Sequence, residues 1–278
     1  MSKAQKIIKY LALALAIFLI VSIFSSILGF VSLLSNFFTD DETVDFSQST
    51  EYIVESDVSV LDIDLSASVL EIKHGEKLSV KSNHEHLKIL ENDFELKLQE
   101  TKRLFNSTDT AYTVTLYIPQ DYEFSVVDIS TGAGVVNISD IKTMTLNLEL
   151  GAGEAKLDKV LVNAETDIDG GAGKLTITNS ELAFLDLDIG VGDTDISAVI
   201  GGESDIDCGV GQTKLELLKK PVIIDSDIVT DYKIEVDKGI GNVKINGENV
   251  KDGQIFGSGE NTVDISCGIG DVDITVSN

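Results

Sequence analysis

A glycine frame recurs along the second half of the chain with alternating apolar and polar residues on both sides. The frame is Gly-x-Gly, and its seven copies follow one another at 19, 20, 19, 19, 30 and 29 residues. Such a regular spacing indicates an internal structural repeat. The paired glycines are Gly132 and Gly134, Gly151 and Gly153, Gly171 and Gly173, Gly190 and Gly192, Gly209 and Gly211, Gly239 and Gly241, and Gly268 and Gly270.

The flanks of the frame follow one rule in every copy. The residues three before and six after the first glycine are apolar, as Ile206 and Leu215 are for the copy at Gly209. The residues four and two before it are nearly always polar. A period of two, rich in Ile, Leu and Val and free of proline, predicts half-buried strands. Each copy is therefore predicted to be strand, tight glycine turn, strand.

The repeat predicts the fold class. One unit has an apolar face and nothing to bury it against, whereas stacked units form a continuous core. We expect an all-β, stacked β-repeat domain of the β-solenoid or roll type, with neighbouring strands ~4.8 Å apart. The two long steps predict loops or extra strands at 218–230 and 247–259. A nucleotide-binding loop is excluded because no copy has the third glycine or the Gly-Lys-Ser/Thr ending.

The region before the repeats contains a degenerate copy. In LDIDLSASVLEI, Ser66-Ala67-Ser68 replaces Gly-x-Gly, and this copy is predicted to cap the stack. The alternating runs FELKLQE and AYTVTLYIP, which lie between it and the first clear repeat, predict antiparallel strands joined by polar turns.

The N-terminal segment has a different pattern. Residues 10–34 are almost wholly apolar, with Lys3, Lys6 and Lys9 before them and an acidic stretch from Asp40 after them. About 20 apolar residues cross a bilayer, and the lysines place the N-terminus in the cytoplasm. A cleaved signal peptide is the alternative, but its apolar region would be only about 7 to 15 residues long.

These features predict a single-pass protein of the cell membrane with an extracytoplasmic C-terminal domain. The predicted parts are a cytoplasmic tail at 1–9, a transmembrane helix at 10–34, an acidic spacer at 35–50, an N-terminal β capping region at 51–125 and the Gly-x-Gly repeat region at 126–278.

Charge narrows the choice of partners. Three of the 21 Lys and Arg residues precede the span and all 47 Asp and Glu residues follow it, so 18 basic residues face 47 acidic ones, a balance of −29. Nucleic acid is a poor partner for such a surface. Divalent cations, basic proteins and cationic polymers are better candidates, and a cell-wall polymer or a membrane protein is a further candidate partner.

The acidic positions before the turns are the candidate binding residues. If the repeats stack in register, their carboxylates form columns in which like charges lie opposite one another, which destabilises a sheet. Ca²⁺ would offset this repulsion with its preference for oxygen ligands, and so would Lys156, Lys174, Lys214 and Lys244 on the following strands. A solvated acidic face that keeps the sheet soluble is the alternative. The candidate metal-binding residues are Asp167, Asp169, Asp186, Asp188, Asp205, Asp207, Glu235 and Asp237.

The histidines and cysteines give weaker indications of a functional site. His84 and His86 would share one face of a strand, but two imidazoles without a further ligand rarely hold a metal. Cys208 and Cys267 occupy the same slot in two copies with one copy between them. They are therefore expected two strand spacings apart, ~9.5 Å, beyond disulfide reach. No nucleophile, base and orienting group form a recognisable set, so we expect no enzyme and no catalytic residue.

The stretch YTVTLYIPQDYEFSVVDISTGAGVVNI, together with LDIDLSASVLEIKHGEKLSV, resembles a bacterial putative-adhesin family, a cell-surface β-repeat domain of unknown function. The resemblance covers residues 51–278 and implies a surface-binding role with no catalytic residues. Three hypotheses follow: a cell-surface interaction module, an accessory or sensor protein of an envelope-stress or membrane regulatory system, and a self-assembling envelope scaffold.

Overall fold

A computed structural model describes residues 50–84, 87–100, 112–223 and 230–277. These residues form one sheet of fifteen strands. The strands are β1 (Thr50–Ile53), β2 (Val60–Leu65), β3 (Ser68–His74), β4 (Ser79–Ser82), β5 (Leu87–Glu91), β6 (Glu95–Glu100), β7 (Tyr112–Ile118), β8 (Glu123–Ala183), β9 (Leu185–Gly201), β10 (Glu203–Leu218), β11 (Tyr232–Ile240), β12 (Val243–Ile245), β13 (Glu248–Asn249), β14 (Gln254–Gly257) and β15 (Asn261–Ser277).

The described part of the chain contains no helix long and apolar enough to cross a membrane. The span predicted at residues 10–34, the tail before it and most of the spacer after it lie outside the described residues.

Two apolar columns run through the core, and both match the predicted positions. The residues three before the glycine frame, such as Ile168 and Ile206, are at most 2% exposed in all seven copies. The same holds for the residues six after it, such as Ile177 and Leu215. Parallel strands align these positions directly, so each layer covers the apolar face of the next. The all-β stacked-repeat class is confirmed.

The glycine frame forms a corner that changes which residues face inward. Ile206 and Leu215 are nine residues apart, so an uninterrupted strand would point them to opposite faces. Both are buried because Gly211, with a φ of +155°, redirects the chain between them. A Cβ on Gly211 would lie 1.6 Å from the carbonyl oxygen of Gly192 in the neighbouring layer. Only glycine satisfies both the backbone angle and this close approach.

The degenerate copy stacks as predicted, but it is not the outermost layer. Strands β2 and β3 lie beneath the first layer of β8, and the carbonyl oxygen of Ser66 lies 2.7 Å from where a Cβ on Gly132 would stand. Strands β6 and β7 form a further layer against β2 and β3, and they pair with them in parallel. The prediction of antiparallel strands holds only on their outer sides, against β5 and β4.

The last two copies are stacked out of sequence order. The sheet runs β9-β10-β15-β11-β14, so the copy at Gly268 lies between those at Gly209 and Gly239. Glu216 of β10 confirms this order, because it accepts hydrogen bonds from the hydroxyls of Ser197 in β9 and Ser277 in β15, both at 2.9 Å. The long step through 247–259 contains the extra strands β13 and β14, as predicted.

This order corrects the prediction for the cysteines. Cys208 is the direct register partner of Cys267, so the two residues lie one strand spacing apart rather than two. The prediction was wrong because it assumed that neighbours in sequence are neighbours in the stack, whereas β15 inserts beside β10.

Candidate functional site

The candidate site is a face of aligned carboxylates on the strands that lead into the glycine corner. Four residues before the corner, the register joins five consecutive acidic residues across β8, β9, β10, β15 and β11. Two residues before it, a second column contains four acidic residues and one serine. The first column is Asp167, Asp186, Asp205, Asp264 and Glu235, and the second is Asp169, Asp188, Asp207, Ser266 and Asp237.

Asp264 completes the first column and was missing from the predicted set. It occupies the same position before Gly268 that Asp205 occupies before Gly209, so the repeat pattern was sufficient to predict it. The non-sequential order then places Asp264 between Asp205 and Glu235, where it closes the gap. All eight predicted acidic residues lie in these two columns.

The carboxylates perturb one another. Partial burial raises the pKa of Asp205 above its ordinary value, and the negative charges of Asp264 and Asp186 raise it further. The pKa of Asp167 is raised in the same way, by desolvation and then by Asp169 and Asp186. Most of these side chains are exposed, so solvent screens the repulsion. The face therefore favours the approach of positive charge.

Lysines do not neutralise the middle of this face. In the described part of the chain, the first column has an ion pair only at its end, where Lys233 Nζ lies 3.9 Å from Glu235 Oε2. The predicted offset by lysines of the following strand is wrong. Lys174 and Lys214 lie beyond the corner, in register with Asp193 and with Asp195 and Asp273, while Lys156 pairs with Glu154 at 3.0 Å and Lys244 lies beside Asp273.

The described residues include no group of three or more His, Cys, Asp or Glu side chains that converges as a metal ion requires. The acidic residues extend in rows along the sheet instead of surrounding one point. Calcium binding by the columns therefore stays a prediction.

His84 is a buried residue. Its side chain is buried against the ring of Tyr112, with ring centroids 4.1 Å apart, and its Nε2 lies 3.4 Å from Glu100 Oε1. The other oxygen of Glu100 accepts a 2.7 Å hydrogen bond from the backbone N–H of Ser66, at the corner of the degenerate copy. His86 lies outside the described residues.

All fourteen predicted turn glycines lie at the corner, and the second glycine has a positive φ in every copy except the first. Since each frame is followed by a strand, the glycines serve the close approach of successive layers and form no phosphate-binding loop.

This geometry defines a class of protein, the stacked all-β domain with glycine corners. Residues 38–275 match the model of the Toastrack DUF4097 family, and the chain belongs to that family. The match agrees with the resemblance seen in the sequence.

The solved structures to which this chain is similar include three bacterial proteins. A putative cell adhesion protein from Clostridium sporogenes ATCC 15579 is 18% identical, with 82% of this chain and 99% of that chain covered and a TM-score of 0.41. A putative adhesin from Bacteroides fragilis NCTC 9343 is 11% identical, with coverages of 81% and 95% and a TM-score of 0.47. A putative adhesin from Parabacteroides merdae ATCC 43184 is 12% identical, with 82% and 95% coverage and a TM-score of 0.36. No curated protein matches the chain.

Proposed function

We propose that this protein is a membrane-anchored, extracytoplasmic binding module of the cell-surface adhesin type, and that it works without catalysis. The observation that carries the proposal is the acidic face, in which carboxylates of five adjacent layers are aligned above a fully buried core. A stacked sheet holds these charges at a fixed spacing of ~4.8 Å. Its partner is a polymer or protein surface with repeated positive charges.

The placement outside the membrane rests on the sequence. The apolar segment at 10–34 has lysines on one side and acidic residues on the other, which favours a cytoplasmic N-terminus and an exported domain. Accessibility of an epitope tag at the C-terminus in intact cells, compared with one at the N-terminus, tests this topology.

A binding experiment tests the function. The full-length chain in detergent is incubated with purified cell-wall material and, separately, with an immobilised oligolysine peptide, and the bound fraction is measured at low and high salt. We expect Asp186→Asn/Asp205→Asn/Asp264→Asn to weaken binding about tenfold or more, because rows of aligned charges provide most of such an attraction.

The matched control removes the same charge from the other side of the corner. Asp193→Asn/Asp195→Asn/Asp273→Asn neutralises three exposed carboxylates that lie beside lysines, and it is expected to bind nearly as the wild type does. If the two triple variants lost the same amount of binding, the binding would depend on net negative charge and not on the acidic face. No loss of binding in the first variant would contradict the proposal.

A second candidate, the self-assembling scaffold, is supported by the edge of the sheet. Among the described strands β14 pairs only with β11, and Ile255 and Phe256 in it are 52% and 39% exposed. An unpaired edge with apolar side chains favours pairing with a second copy of the chain. Sedimentation of the wild type and of Ile255→Lys would separate the candidates, since only a scaffold would form oligomers that the lysine abolishes.

A further inference from the structure

The two cysteines of the chain occupy matching positions on adjacent parallel strands. Cys208 in β10 and Cys267 in β15 each directly precede a glycine corner, and they are register partners. Both are free thiols, half-buried and packed at the margin of the core. They border a surface depression together with Asp207, Asp237 and Lys238, so a small reagent can reach them.

The spacing of the two residues suits a disulfide. Register partners on adjacent strands are ~4.8 Å apart between Cα atoms, and the Cα atoms of bonded cysteines are about 4.4 to 6.8 Å apart. Side chains at paired positions lie on the same face of the sheet, so the two thiol side chains are neighbours on one face. Burial raises the pKa of the Cys267 thiol to about 11, and the neighbouring Cys208 thiol contributes to that rise.

We infer that Cys208 and Cys267 form an intramolecular disulfide that ties β15 to β10. The oxidant is a disulfide compound. One cysteine thiolate attacks a sulfur of the oxidant and expels one thiolate, which leaves a mixed disulfide on the protein. The second cysteine thiolate then attacks the protein sulfur and expels the other thiolate. The two cysteine protons pass to the two expelled thiolates, so the protein loses two electrons and the oxidant gains them.

The bridge acts on the part of the fold in which chain order and layer order differ. It joins residues 59 positions apart, and closing a loop of that length restricts the unfolded chain substantially. It therefore fixes the copy at Gly268 in its place beside the copy at Gly209. Because both thiols are partly buried and have raised pKa values, the reaction is slow at neutral pH and accelerates as the pH rises.

The test uses the full-length chain, reduced and then treated with oxidised glutathione at pH 8.5. We expect intact-mass analysis to show loss of two hydrogens, proteolytic digestion to yield a linked peptide containing Cys208 and Cys267, and gels to show monomers only. The melting temperature should rise by roughly 10 °C on oxidation and return on reduction. Cys208→Ser should show neither the mass change nor the redox-dependent shift.

A displaced pair is the matched control. Ile189→Cys/Cys208→Ser moves one thiol to the register partner on β9, so the two thiols stand two strand spacings apart, ~9.5 Å, and should not bridge. Bridging of this variant at the wild-type rate would overturn the inference, as would wild-type thiols that react with iodoacetamide yet never bridge, or that link only between molecules. None of these results depends on what the acidic face binds.

Discussion

The layers from Gly132 to Gly209 and the layers after Gly209 have the same side-chain pattern but different connections. In the first region each layer is 19 or 20 residues from the next, and neighbours in sequence pair in space. In the second region the chain advances 30 residues, skips a layer, and returns 29 residues later to fill it. Both regions bury the same apolar columns to within 2% exposure.

The repeat therefore specifies which face of a strand is buried but not which strand is its neighbour. Ile206 can pack against Val236 or Ile265 with similar chemistry. Loop-closure cost grows slowly with length, so pairing the copy at Gly209 with the copy 59 residues on instead of the copy 30 residues on costs less than about 1 kcal/mol. The observed order also lets β14 pair with the outer edge of β11, which leaves less of that edge unpaired.

Adding a side chain at the glycine corner should destabilise the protein equally in both regions. A Cβ on Gly211 would lie 1.6 Å from the carbonyl oxygen of Gly192, and one on Gly241 would lie 1.6 Å from that of Gly270. We expect Gly211→Ala and Gly241→Ala each to lower the free energy of unfolding by more than ~3 kcal/mol, because backbone must move in the neighbouring layer. Urea unfolding measures this.

Gly247→Ala is the control for backbone angle alone. Gly247 has a φ of +81° and nothing within 4 Å of its added Cβ, so a loss of about 1 kcal/mol is expected. Similar losses in all three variants would show that the close approach of layers is unimportant.

A row of residues with positive φ offers a position for a stabilising substitution in the first region. Lys159 has a φ of 55°. Asp140 and Asn179 of the adjacent copies have a similar positive φ, and so does Asn246 in the second region. Asn tolerates this backbone better than Lys. We expect Lys159→Asn to raise the free energy of unfolding by about 0.5 to 1 kcal/mol in thermal unfolding. Lys156→Asn, on an extended strand, should give no gain, and a gain there would refute the explanation.

Removing a charge from the acidic face should have the same effect on stability in the two regions, because Asp205 of the first lies beside Asp264 of the second. Replacing Asp205 with Asn at pH 7 should stabilise the protein by roughly 0.5 kcal/mol, since it removes a like charge opposite another. High salt should reduce this gain.

The pH dependence of this effect has a defined sign. The pKa values of Asp167 and Asp205 are raised in the folded state. Their contribution to stability is therefore fully present below the ordinary Asp pKa and is lost as the pH rises through the folded value. The melting-temperature difference between Asp167→Asn/Asp205→Asn and the wild type should shrink as the pH falls from 7 to 4. A difference that widens would contradict the account.

The sequence predicted the local features and missed the long-range ones for physical reasons. Alternation around Ile206 and Leu215 determined the buried columns, and the odd spacing between them required a corner. Layer order was missed because every copy presents an interchangeable apolar face. The lysines beyond the corner were misplaced because a corner separates residues that a straight strand would keep together, and the burial of His84 depends on Tyr112, far away in sequence.

A double-mutant cycle tests the order of the last layers. Ile206→Val is combined with Ile265→Val and, separately, with Val236→Ala, and the free energies of unfolding are measured in urea. If β15 lies beside β10, the first pair should show a coupling of at least ~0.5 kcal/mol and the second should be additive within about 0.3 to 0.5 kcal/mol. Coupling between Ile206 and Val236, with additivity for Ile206 and Ile265, would show that the copies stack in sequence order and would contradict the account.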